Sequence, residues 1–240
     1  MRGGPLPLRL LVYGLGLAYE AIILSLGFAL LSARASAEGL LKPGLAFLLA
    51  GLGDLMHTLG LLAVDLAQGS WLAHAISSFL TALDIALATT ALLLIRLYVS
   101  SFSRQGYGML DKALIAVLVI TASLALTAAS LKLIGAYGLY WPLLGVAVML
   151  MAITGYISCM SLFVAAQKGI LPTYLRARGK RVKLLWGSAL GMVAITLALL
   201  HPLAAPLPLA MLLITALKVA FLSASGLLIG LGLLPPQPSM

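Results

Sequence analysis

Residues 44–99 read GLAFLLAGLGDLMHTLGLLAVDLAQGSWLAHAISSFLTALDIALATTALLLIRLYV. Two apolar runs, 44–67 and 71–99, are parted only by Gln68-Gly69-Ser70. A helix needs about 20 apolar residues to cross the ~30 Å hydrocarbon core of a bilayer, so each run is long enough to span and the short polar break turns the chain back. The stretch is predicted to be a transmembrane hairpin. Five further runs of the same kind, at 10–33, 111–136, 142–167, 184–201 and 208–233, take up most of the remaining chain. The expected fold is therefore an all-α, polytopic integral membrane protein with seven transmembrane helices in a single domain over residues 1–240.

Composition agrees with that reading. Hydrophobic residues make up 62% and charged residues 9% of the 240 positions, and the mean hydropathy is +1.15, more than a soluble domain of this size can hide. The first run carries Glu20 and is too long for a signal peptide, so it reads as a span. Lys42-Pro43-Gly44, Trp141-Pro142 and Leu207-Pro208 mark the openings of spans two, five and seven, and Trp71 and Trp141 are placed to anchor at the interface. Cys159 is the single cysteine, which excludes an intrachain disulfide, a thiolate zinc cluster and a paired-cysteine redox centre. With no asparagine the chain has no N-glycosylation acceptor.

Charge predicts the orientation. The connections after spans one, three and five hold Arg34, Lys42, Arg104, Lys112, Lys168, Arg176, Arg178, Lys180, Arg181 and Lys183, whereas those after spans two, four and six hold no Lys or Arg. Cytoplasmic loops collect Lys and Arg, which puts the N-terminus outside and the C-terminus inside a cell membrane, against the milder pull of Arg2 and Arg9. The basic connection between spans five and six has an amphipathic pattern and is expected to lie on the lipid surface. The net charge of +9 suits anionic lipid, and without an extended basic domain nucleic acid is not an expected partner. The expected partners are membrane lipid and a small ion or small-molecule substrate.

Ionisable groups inside spans are costly and usually face a protein interior or a wet cavity. Here they include Glu20, Asp54, Asp65, Asp84, His57, His74, His201, Lys132 and Lys218. On span two, Asp54, His57, Thr58 and Asp65 share one helical face; on span three, His74, Ser77, Thr81 and Asp84 do the same. Counting depth from the hairpin turn sets Asp65 level with His74, His57 with Thr81, and Asp54 with Asp84. Lys132 and His201 reach the same level as Asp65 and His74, so these four are expected to line an outer vestibule. Glu20 and Lys218 lie near the depth of His57. The predicted centre, Glu20, Asp54, His57, Asp84 and Lys218, sets three carboxylates against one lysine and one histidine, an excess that calls for a bound proton or cation.

Residues 81–95 (TALDIALATTALLLI) and 215–229 (TALKVAFLSASGLLI) agree at seven of fifteen positions. Read as a repeat, this gives a three-plus-one-plus-three bundle with parallel halves, related by an axis along the membrane normal, in which Asp84 and Lys218 are equivalent and aimed at each other.

Three functions fit these residues. The first is a cation- or proton-coupled transporter, with Asp84 and Lys218 as a switchable pair, Asp54 and Glu20 as acceptors and His57 as relay. The second follows from a resemblance: seven helices, an outside N-terminus and Lys218-Val219-Ala220-Phe221 in the last span are similar to the microbial rhodopsins. That resemblance implies retinal on Lys218, with Asp84 as counterion. The chain departs from the family at Ile214, where a second Asp would stand, and lacks an Arg before Asp84 and the aromatic box. The third is an intramembrane metalloenzyme or a respiratory membrane anchor, with Asp54 and His57 as ligands on one helix face.

Overall fold

The computed structural model describes residues 6–33, 39–67, 70–102, 108–200 and 208–235. Among them the elements are α1 (Leu6–Ser32), α2 (Leu41–Leu66), α3 (Trp71–Ser100), α4 (Met109–Leu133), α5 (Tyr137–Lys168), α6 (Arg178–Leu200) and α7 (Pro208–Leu233), with a 3₁₀ turn at Thr173–Leu175 before α6. All seven helices are long and apolar enough to cross a membrane. Their outward faces carry residues such as Phe28, Val119 and Trp186, each more than half exposed, which only a lipid surround would solvate without penalty.

The helix ends follow local chemistry. The Ser70 hydroxyl caps α3 by accepting from the Ala73 amide at 3.3 Å. Gly169, at φ +66°, closes α5 in the left-handed conformation that favours glycine. Two starts differ from the sequence expectation. Helix α5 begins at Tyr137, so Pro142 lies inside it and does not open it. Helix α6 begins at Arg178, so Arg178, Lys180, Arg181 and Lys183 occupy its first turns and are not in a loop. Hydropathy marks where lipid contact begins, whereas a helix continues into the interface for as long as its backbone bonds close.

Neighbouring helices close a ring in the order α1, α2, α3, α5, α6, α7 and back to α1, and α4 packs outside against α3 and α5. Exchanging α1, α2 and α3 for α5, α6 and α7 keeps the neighbour pairs, as it does in any ring of six, and α4, packed on α3 and α5, does not follow the exchange. The register is not repeated. Gly187 stands to Lys218 in sequence as Gly53 stands to Asp84. In the structure Gly53 abuts Asp84, while Gly187 abuts Ile229.

Glycines set the closest approaches. A Cβ on Gly27 would sit 2.9 Å from the Leu48 backbone nitrogen, and one on Gly187 would sit 3.0 Å from that of Ile229. These are contacts where backbones meet with no side chain between them, the usual means by which helices associate in lipid.

The two ends of the bundle differ. At the end where the Lys- and Arg-rich connections lie, here the basic end, Leu30, Leu40, Phe47, Tyr98, Leu162, Leu184 and Leu233 form one buried apolar cluster. The connection between α5 and α6 joins that cluster through Leu171 and Leu175, and the Tyr174 hydroxyl lies 3.3 Å from that of Tyr98. Burial raises the Tyr174 phenol above its ordinary pKa, so it stays a neutral hydrogen-bonding group. Two leucines of the connection thus enter the core, while Ile170 stays exposed. Toward the opposite, neutral end the described residues line a cavity.

Candidate functional site

The α2–α3 hairpin positions most of the site. Its register is fixed by His57 Nδ1 and Thr81 Oγ1, 3.1 Å apart, and by two glycines of α2 that let α3 come close. A Cβ on Gly60 would meet the Ser77 Cα at 3.1 Å, and one on Gly53 would meet Asp84 Oδ1 at 2.9 Å. Asp84 therefore lies wedged against the α2 backbone, level with Asp54.

A cavity of about 710 Å³ occupies the neutral half, a size typical of ligand pockets. Asp65, His74 and Lys132 line it near the helix ends, and Glu20, Asp54, His57 and Lys218 line its floor. Tyr13 donates to Asp65 Oδ2 at 2.7 Å. The Lys132 ammonium stands over the Tyr140 ring, 4.7 Å from its centroid. Glu20 is 2% exposed; its Oε1 accepts from the Thr58 hydroxyl at 2.5 Å, and its Oε2 has no hydrogen-bond partner.

A second cavity, of about 270 Å³, lies on the basic side of the same floor. Asp84 lines it together with Asp54 and Lys218, and the rest of its wall is largely apolar, including Phe47, Leu92, Leu162 and Ile229. Tyr19, Asp54, Lys218 and Leu222 belong to both cavities. These shared residues form the septum between the two, with Tyr19 beside Asp54. The Oδ1 atom of Asp84 has no hydrogen-bond partner. Among the described residues the Lys218 ammonium makes neither a hydrogen bond nor a contact ion pair.

Asp84 and Lys218, expected to be aimed at each other, thus share a cavity without bonding. The ring explains why. Helices α3 and α7 stand opposite one another in it, and opposite members of an evenly spaced ring of six are separated by about twice the 8–10 Å spacing of packed neighbours. Equal depth does not bring such side chains together. His201 lies outside the described residues. Among those residues no three of His, Cys, Asp and Glu are grouped closely enough to hold a metal ion, so Asp54 and His57 lack a third ligand.

Sequence reasoning missed the tyrosines and one ion pair. Tyr13 is seven residues before Glu20 and so shares its helical face; Tyr19 is next to Glu20. Both read as apolar until the α2 carboxylates are set opposite them. The ion pair joins Arg96 Nε to Asp111 Oδ1 at 2.9 Å, with Arg96 also donating to Ser161 at 3.0 Å. Comparison with protein families, with curated proteins and with solved structures finds no match for this chain.

Proposed function

We propose that this protein is a proton- or cation-coupled transporter of a small molecule. The observation that carries the reading is the septum: acidic and basic groups that separate two cavities, with carboxylate oxygens of Glu20 and Asp84 left without partners. A buried carboxylate without a partner is costly unless it takes up a proton or a cation. Midplane groups of this kind, reachable from one side at a time, are what coupling requires. In this reading the cavity of the neutral half admits the ligand, and the apolar cluster at the basic end is the closed gate. Transport would need the cluster around Tyr98 and Leu175 to part.

The retinal reading rests on Lys218 alone: the rings that share its two cavities, Tyr13, Tyr19, Phe47, Tyr140 and Trp141, are not the aromatic box that family sets around a polyene. A metalloenzyme reading would need a third ligand.

Proteoliposomes with an entrapped pH indicator test the proposal. Added to the outside, one class from a panel of amino acids, amines, sugars, nucleosides and organic acids is expected to drive proton movement that depends on the protein and is lost in Lys218→Met. If no member moves protons between pH 5 and pH 8, a range spanning about three decades of proton activity around the histidine pKa, coupling by protons is wrong. Orientation has its own check, based on the ten basic residues of the odd connections. With Cys159 replaced by Ala, an impermeant thiol reagent outside intact cells is expected to label Gly138→Cys and to spare Arg178→Cys. The reverse pattern would invert the assignment.

A further inference from the structure

We infer that the transported molecule is a zwitterion, with its anionic end on Lys218 and its cationic end on Asp54. This inference deepens the transporter reading and rests on it. Lys218 faces both cavities with an ammonium that bonds to nothing among the described residues. An ammonium has three donors, and that of the half-buried Lys218 has no protein acceptor for them among the described residues. Asp54 stands in the same septum, where the one phenol beside it, Tyr19, leaves most of its acceptor sites open. The two opposite charges share both cavity walls and yet do not close on one another. A ligand that carries both signs satisfies each of them, and it does so through charge-assisted bonds, the stronger kind.

The approach to the septum has the same polarity. Carboxylates enter the cavity from α1 and α2 at Glu20, Asp54 and Asp65; bases enter from α3, α4 and α7 at His74, Lys132 and Lys218, and from α2 only at His57, whose Nδ1 is turned to Thr81. A simple cation would be drawn to the first wall and repelled by the lysines, and a simple anion would meet the converse. A molecule with separated charges is oriented by the field and not excluded by either wall. Between the charged groups the wall mixes hydroxyls, such as Ser77 and Ser78, with the apolar side chains of Leu61, Val64, Leu144 and Leu222, which leave room for an aliphatic body.

Calorimetric titration of the detergent-purified full chain with three related probes tests this. L-leucine has both charges, L-leucinamide lacks the carboxylate, and 4-methylpentanoate lacks the ammonium. Leucine is expected to bind at least about a hundredfold more tightly than either of the others, the scale of loss when one partner of a buried charge pair is missing. Lys218→Arg should retain leucine binding within about tenfold, and Lys218→Met should abolish it. The comparison of probes on the unaltered protein stands even if Lys218→Met fails to fold. Equal binding of leucine and leucinamide, tighter binding of either single-charge probe, or no binding of leucine overturns the zwitterion. If leucine binds as expected but moves no protons in the liposomes, the ligand class stands and the coupling falls; if protons move only with amines, sugars or organic acids, coupling stands and the ligand class falls.

Discussion

Asp111→Asn is expected to destabilise the bundle by about 3–5 kcal/mol, the cost of leaving a buried charge without its partner. Asp111 is 1% exposed. Its Oδ1 accepts from Arg96 Nε at 2.9 Å and from the Ser100 hydroxyl at 3.0 Å, and its Oδ2 accepts from the Gly108 amide at 3.1 Å. Arg96 reaches on to Ser161 at 3.0 Å, so one carboxylate ties the end of α3 to the start of α4 and, through the guanidinium, to α5. Asparagine can keep some of these bonds but not the charge. Arg96→Met is expected to cost nearly as much, and Arg96→Met combined with Asp111→Asn should cost little more than either alone. Reversible unfolding in mixed detergent micelles gives all four values of the cycle. A coupling energy below about 1 kcal/mol would mean that the pair contributes no more than an exposed salt bridge, and that α4 is held by its apolar contacts instead.

The same pair shows where the sequence stops being informative. Arg96 lies in the last turn of the run 71–99 and Asp111 begins the next, so each reads as an ordinary boundary charge. Only the fold, by bringing the two sides of the α3–α4 connection together, makes them a buried pair. The seven spans were legible because bilayer thickness sets the length of an apolar run. The α2–α3 register was legible because a short turn leaves little slack, and depth counting set His57 against Thr81 as the structure does. Relations between helices far apart in the chain were not. Asp84 and Lys218 match in depth, but how far apart they stand depends on how many helices close the ring, and no pattern within a span carries that number. Glu20 and Thr58 meet for a similar reason: α1 packs on α2 through Gly27, Gly44 and Gly51, a register fixed by small residues spread over two spans. The internal repeat does not foretell the offsets of the helices, because Gly187 packs on α7 about three turns away from the level that Gly53 takes on α3.

Asp84→Asn is expected to move stability and transport in opposite directions. The side chain is already confined, with its Oδ1 against Gly53 where even a Cβ would come within 2.9 Å, and an isosteric amide keeps that fit. What changes is the charge. Oδ1 has no hydrogen bond, and Lys218 is not in contact, so removing the charge removes a desolvation cost and breaks no bond made through that atom. Stability should be unchanged or higher by up to about 2 kcal/mol. Coupled transport in liposomes should fall by about 10² or more, the usual loss when a positioned proton carrier is removed. Gly53→Ala provides the contrast, since it keeps the carboxyl but crowds it, and should lower stability while leaving some coupling. A loss of more than about 1 kcal/mol in Asp84→Asn would put the aspartate among groups that hold the helices together. A gain with transport lost would mean that the fold tolerates a strained charge between α2 and α3 because the charge serves function, the trade seen where stability is given up for activity.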